Sequence, residues 1–228
     1  MAPHAGWVYS GALAGKTFAQ VTVPARVVVL SPNHTGRGSA VSLIAAGSFQ
    51  IPVGEVPIDE DLAALVLAEV PGAREDARAH AQEHAIEVEL PFLQARRADV
   101  SFVPIVLGGL DRAEAIAVGR GLARAIEGAG GDVLVVASSD MSHYLSDAVT
   151  RERDRPAIER ILALDPEGLY DVVERQDISM CGILPVTAML ACARDHGASV
   201  AQLVGYATSG DAFGDRDRVV GYAGVVVR

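Results

Sequence analysis

Apolar runs of strand length alternate along the chain with longer segments of helical spacing. The pattern predicts strands at Arg26–Ser31, Val41–Ala46, Val100–Leu107, Asp132–Ala137, Ala201–Ala207 and Val219–Val227. These are continuous β-branched runs rather than strict alternations, the pattern of strands covered on both faces. Helices are predicted at Asp59–Val70, Asp111–Glu127, Glu152–Leu164 and Leu184–Arg194. Asp111 with Glu114 three residues on has capping-box spacing, Gly128 and Gly130 stop that helix, and Gly197 ends the last one. A shorter helix at His84–Gln94 contains Pro91, which argues against a clean helix interior. With no repeat, low-complexity tract or Pro/Gly/Ser linker, residues 1–228 are expected to form a single α/β domain. Open α/β sheets place ligands beyond the carboxyl ends of their strands, so the loops there are the ones to read.

Composition narrows the picture. A chain of 228 residues, 50% hydrophobic, can bury a core without disulfides or metals as staples. No apolar run reaches the ~18 residues of a membrane helix, and no signal-peptide pattern is visible. The two cysteines, Cys181 and Cys192, form neither a disulfide framework nor a CxxC motif, which predicts a cytoplasmic protein. A net charge of −10 argues against nucleic acid or an anionic membrane as partner. Lys16 is the only lysine, so Schiff-base or P-loop chemistry is excluded at every other position.

Four loop segments hold the candidate chemistry: PHAGWVYSG (Pro3–Gly11), SPNHTGRG (Ser31–Gly38) after the first strand, SSDMSHY (Ser138–Tyr144) after the fourth, and SMCGILP (Ser179–Pro185) opening a helix. They carry His4, His34, Asp140, His143 and Cys181, four good metal ligands and a carboxylate that can ligate or orient a histidine. Each also has a plainer reading: a turn histidine, a terminal residue, an N-cap at Asp140, a small buried cysteine. Cys181 stands at a helix start, where the dipole favours thiolate, whereas Cys192 in TAMLACA reads as core. His80 and His196 read as solvated. Glu83 and His84, opening EHAIEVELPFL (Glu83–Leu93), read either as an acidic helix start or as support for the site. Walker, GxSxG and GxGxxG patterns are absent.

In this order, PHAGWVYSG, SPNHTG, EHAIEVELPFL, SSDMSHY, MCGILP and YATSGD…DRVVGYAGV resemble the MEMO family, whose prokaryotic members include AmmeMemoRadiSam system protein B. The resemblance runs from Pro3 to Val227. It implies the α/β sandwich around a central mostly parallel or mixed sheet of class III extradiol dioxygenase catalytic subunits. It implies a non-haem iron type of site with His4, His34 and Cys181 as ligands, and His143 as general base oriented by Asp140. Tyr9 and Tyr144 flank these blocks as pocket residues. Family members usually carry a segment ahead of PHAG, so this chain is expected to lack one.

A thiolate in place of the usual carboxylate softens the site and brings copper or zinc into competition with iron. Three readings stay open: an oxidoreductase of the dioxygenase type acting on a small molecule; a non-catalytic module binding a peptide or other AmmeMemoRadiSam proteins; and a zinc-dependent hydrolase.

Overall fold

In the computed structural model, which describes residues 1–228, helix α1 (Trp7–Phe18) leads into β1 (Arg26–Pro32), β2 (Val41–Leu43) and a hairpin of β3 (Ser48–Ile51) with β4 (Gly54–Pro57). Next come α2 (Glu60–Glu69), β5 (Ala73–Glu75), α3 (Ala85–Arg96), β6 (Ser101–Leu107), α4 (Arg112–Ala129) and β7 (Val133–Ala137). The remainder is β8 (His143–Leu145), α5 (Asp147–Leu162), α6 (Pro166–Arg175), α7 (Ile183–Asp195), β9 (Ala201–Thr208), α8 (Ser209–Phe213) and β10 (Val219–Val227).

The central sheet has the order β5-β2-β6-β1-β7. β1 runs parallel to β6 and β7, and β2 parallel to β5; the β2–β6 pairing alone is antiparallel. The sheet is therefore mixed and mostly parallel, as expected. Val27, Val28, Val29 and Leu30 of β1 are each 0% exposed. Successive strand residues face opposite ways, so both sides of β1 are covered, and α3 and α7 both pack against it. A second, antiparallel sheet of order β8-β10-β9 packs on α1 and α5. No helix is long and apolar enough to cross a membrane.

Helix boundaries follow local chemistry. The Asp59 side chain accepts the Leu62 amide at the start of α2, and Asp111 with Glu114 makes the full capping box of α4. Gly128 lies inside α4, which stops at Gly130 with a φ of 64°. α5 begins at Asp147, ahead of the expected Glu152. The expectation about Pro91 is corrected: α3 runs on through it to Arg96. Pro91 withdraws the amide donor that the carbonyl of Glu87 would use, and Glu87 is exposed, so water can replace it. The reading of His80 as solvated is also corrected. It is 7% exposed, with Nε2 3.3 Å from the Ser42 carbonyl and its ring edge-on to Phe49. His196 is exposed and Cys192 is core, as expected.

The segment before α1 is not frayed. Ala2 bridges Ser138 in parallel, its amide donating to Ala137 and its carbonyl accepting from Ser139. That pairing continues the line of β7 and buries His4 to 2% exposure.

Candidate metal centre

The carboxyl ends of β1 and β7 point to one place. β1 delivers His34, and β7 delivers Ser138, Ser139 and Asp140. The Ala2–Ser138 bridge brings His4 alongside, and the turn into α7 brings Cys181. Gly182 makes this approach possible: a Cβ there would stand 2.3 Å from the Ser139 Cβ, so only glycine lets the turn press on the β7 loop. The Gly182 amide then donates to Ser139 Oγ at 3.1 Å and the Asp140 amide to Cys181 Sγ at 3.2 Å.

His4, His34 and Cys181 each offer a ligand atom, all within 4.8 Å of one another. His4 Nε2 is 3.4 Å from Cys181 Sγ. An ion about 2.1 Å from an imidazole nitrogen and about 2.3 Å from a thiolate holds those atoms about 3.6 Å apart at a tetrahedral angle, so the residues fit a metal. Their other polar atoms are taken. His4 Nδ1 meets Ser138 Oγ at 2.8 Å, and His34 Nδ1 meets Glu83 Oε1 at 2.8 Å, leaving each Nε2 for an ion.

Glu83 is almost fully buried and saturated. Besides the His34 ring, it accepts the amides of His34, His84 and Ala85. Burial acts to raise its carboxyl, but the His34 ring and these amides outweigh that and hold it at about 2. It therefore orients His34 and closes the amino end of α3, both roles raised for it by the sequence. His84 stacks on His34 with centroids 5.0 Å apart, and its ring lies 5.5 Å from that of His4. His34, Glu83 and His84 form a second potential metal-holding group, but Glu83 is already engaged by His34, and His84 Nδ1 lies 3.5 Å from the same Oε1.

Burial, reinforced by His34 and His84, lowers the His4 pKa to about 3, so its ring is neutral and ready to ligate. Hydrogen bonding to Glu83 raises that of His34. Burial, with the Asp140 carboxylate beside it, pushes the Cys181 thiol well up. The expectation of a thiolate from the helix start is thus corrected for the metal-free protein, because desolvation outweighs the dipole.

His143 opens β8, and its ring Nδ1 lies 2.9 Å from the Ser179 carbonyl while its amide donates to Ser179 Oγ. A carbonyl only accepts, so Nδ1 carries a hydrogen and Nε2 is the ring nitrogen left without a protein partner. The expected orientation of His143 by Asp140 is not found. The Asp140 carboxylate instead accepts the His4 and Ala5 amides, at 2.9 and 3.3 Å, and Ser179 holds the His143 ring. Asp140 caps no helix; burial raises its pKa to about 6 against the pull of those amides.

Tyr9 and Tyr144 lie at the surface, 45% and 64% exposed. Tyr9 packs on Phe213 at 4.7 Å, and Tyr144, in left-handed backbone at a φ of 62°, sits between His143 and the guanidinium of Arg218. Trp7 Nε1 donates to the Val88 carbonyl of α3 at 3.1 Å, one turn before Pro91. Ser138 and Ser179 have no assigned role in the sequence reading. The signal was present: a ligating or basic histidine needs a partner for its second nitrogen, and both serines stand in the motif blocks.

Fold and site together define an α/β protein with a His–His–Cys cluster at the carboxyl ends of parallel strands. The chain belongs to the Memo-like family: the family profile described as Memo-like protein matches residues 1–226. It is 41% identical to the MEMO1 family protein MK0963 of Methanopyrus kandleri over 100% of this chain and 82% of that one. It is 42% identical to a MEMO1 family protein of Ignicoccus hospitalis, over 99% and 80% of the two chains. The crystal structure of the uncharacterized protein JW3007 from Escherichia coli K12 superposes with a TM-score of 0.56 at 17% identity, over 92% of this chain and 90% of that one. At that identity the correspondence concerns the fold.

Proposed function

We propose that this chain is a metal-dependent oxidoreductase in which His4, His34 and Cys181 hold one metal ion, with iron as the working metal and copper or zinc as competitors. The observation that carries the reading is the convergence of the three ligand atoms within 4.8 Å, beside an imidazole with a free Nε2. With these three residues holding it, a bound Fe(II) would supply electron transfer between an oxidisable substrate and dioxygen. The protein residues do the rest. Ser138 and Glu83 aim the two imidazoles, and His143 Nε2 takes a proton from a substrate hydroxyl such as that of a catechol. Asp140 fixes the backbone of His4 and Ala5.

The test is anaerobic purification, loading with Fe(II), and measurement of metal content and oxygen uptake with catechols. His34→Ala and Cys181→Ser should abolish stoichiometric metal; unchanged stoichiometry overturns the ligand set. His143→Ala should bind metal normally and lose turnover.

A second reading has one observation in its favour: Tyr9, Phe213 and Tyr144 leave exposed aromatic surface near the site, suited to a peptide or a partner protein. Turnover of any substrate by the iron-loaded protein counts against it. Zinc as the sole metal in protein made without supplementation favours hydrolysis instead.

A further inference from the structure

Glu89 is a carboxyl with 0% exposure on the inner side of α3. Its Oε2 has no hydrogen-bond partner, and Oε1 meets a single group, Ser138 Oγ at 2.7 Å. Burying a carboxyl with one partner is costly, and an apolar residue of similar volume would fill the space without that cost. The buried Met1 ammonium favours the charge of Glu89 and Asp140 opposes it, but neither bonds to the carboxyl, the ammonium donating to the Val225 carbonyl instead. The role lies in what Ser138 touches next.

Ser138 Oγ has three neighbours: Glu89 Oε1, His4 Nδ1 at 2.8 Å, and the Ala85 carbonyl at a longer 3.4 Å. A hydroxyl has one hydrogen to give. A carboxylate only accepts, so when Glu89 is ionised the short Ser138–Glu89 contact takes that hydrogen. His4 Nδ1 must then be the donor to Ser138 Oγ. The ring proton is on Nδ1, and the Nε2 lone pair faces Cys181 Sγ. Without the carboxylate, Ser138 is free to donate to Nδ1, which places the proton on Nε2, where a metal must bind.

We propose that Glu89, when ionised and acting through Ser138, is a positioning residue that sets the ring tautomer of His4 and so presents Nε2 to the metal. This rests on the reading of His4 as a ligand. It assigns a function to a carboxyl in EHAIEVELPFL that touches no ligand itself.

The experiment uses the full chain at pH 9, where Glu89 is ionised, burial having pushed its carboxyl up to about 8. The imidazole nitrogen shifts of His4 are read by long-range proton–nitrogen NMR on metal-free protein. Zinc affinity is measured by competition with a chelator. In the native chain His4 should show Nδ1 protonated and Nε2 bare. Ser138→Ala and Glu89→Leu should lose that preference and weaken zinc binding about 10–100-fold, the usual effect of losing a ligand's partner. Glu89→Gln, whose amide oxygen still accepts from Ser138, should restore both. Native tautomer and affinity in folded Glu89→Leu or Ser138→Ala overturn the proposal, as does a native His4 protonated on Nε2. Should Glu89→Leu fail to fold, Ser138→Ala and Glu89→Gln decide the matter. A native chain that binds no zinc overturns the ligand reading instead, and the tautomer measurement still tests the relay.

Discussion

His4 Nε2 lies 3.4 Å from Cys181 Sγ across 177 positions of sequence. An ion bound between them favours the folded chain alone, because the unfolded chain does not hold the two together. Saturating metal should therefore raise the thermal midpoint, a ligand at about 100 times its Kd adding about 2.7 kcal/mol. A chelator should reverse the gain, and His4→Ala or Cys181→Ser should abolish it. Calorimetry of the metal-loaded and chelated forms measures this directly.

Glu83→Ala removes the partner of the His34 ring and the acceptor of three amides, that of His34 and the two at the start of α3. The expected loss is about 10–100-fold in metal affinity together with about 1–3 kcal/mol of stability from unsatisfied amides. Glu83→Gln should retain more of both. Denaturant melts beside chelator competition separate the two effects.

Asp154 is fully buried and accepts the Ser142 amide at 3.0 Å and the Tyr206 hydroxyl at 2.6 Å. It thus anchors the residue before His143. Asp154→Ala strands both donors and should cost about 2–4 kcal/mol, with Tyr206→Phe costing less. In urea melts the midpoint should fall at an unchanged slope.

Gly119 sits where α4 crosses α7, and a Cβ there would stand 2.2 Å from the Ala188 carbonyl oxygen. Glycine to alanine inside a helix ordinarily gains up to about 1 kcal/mol. Here the helices must part, so Gly119→Ala should destabilise by about 1–3 kcal/mol through overpacking. A thermal midpoint at or above that of the native chain would show that the crossing yields.

Asp147 is bonded to Arg151 and Arg216 and accepts from Thr208. The Arg151 hydrogen bond, partly opposed by burial, holds its pKa near 2 against an ordinary 3.8. A carboxyl depressed in the fold contributes stability above its unfolded pKa and loses it as pH falls through the folded one. Asp147→Asn should flatten the stability profile between about pH 4 and 2 and cost about 1 kcal/mol at neutral pH, as surface ion pairs do. Urea midpoints at pH 7, 4 and 2.5 give the comparison.

The strands β1, β6, β7 and β10 were legible because burial writes itself as apolar runs rich in valine. α2 was legible from the helical spacing of its apolar residues after an acidic first turn, and α4 from its capping box. α1 was not, because WVYSGALAGKTF carries two glycines that read as loop, although they allow contact with Phe92 of α3. α6 was missed despite Pro166 at its first turn and the Asp165 cap, signals that single-residue rules can find. In the site, His4, His34 and Cys181 could be read as candidates from loops placed after strand ends, while their grouping as one ligand set was implied by the family resemblance. The partners of the histidines could not be read, since they depend on which atoms approach across the fold. Ser179 displaced Asp140 as the holder of His143, and burial decided the Cys181 thiol and His80, neither visible in residue type.

The indole of Trp7 is tied to α3 by its bond to the Val88 carbonyl, and the chain has no other tryptophan. Its emission is therefore a built-in optical reporter of the α1–α3 junction, three residues after His4, rather than of the bulk core. Loosening of the amino-terminal side of the site would redden that signal before the sheet melts, letting one fluorimeter trace time the two events.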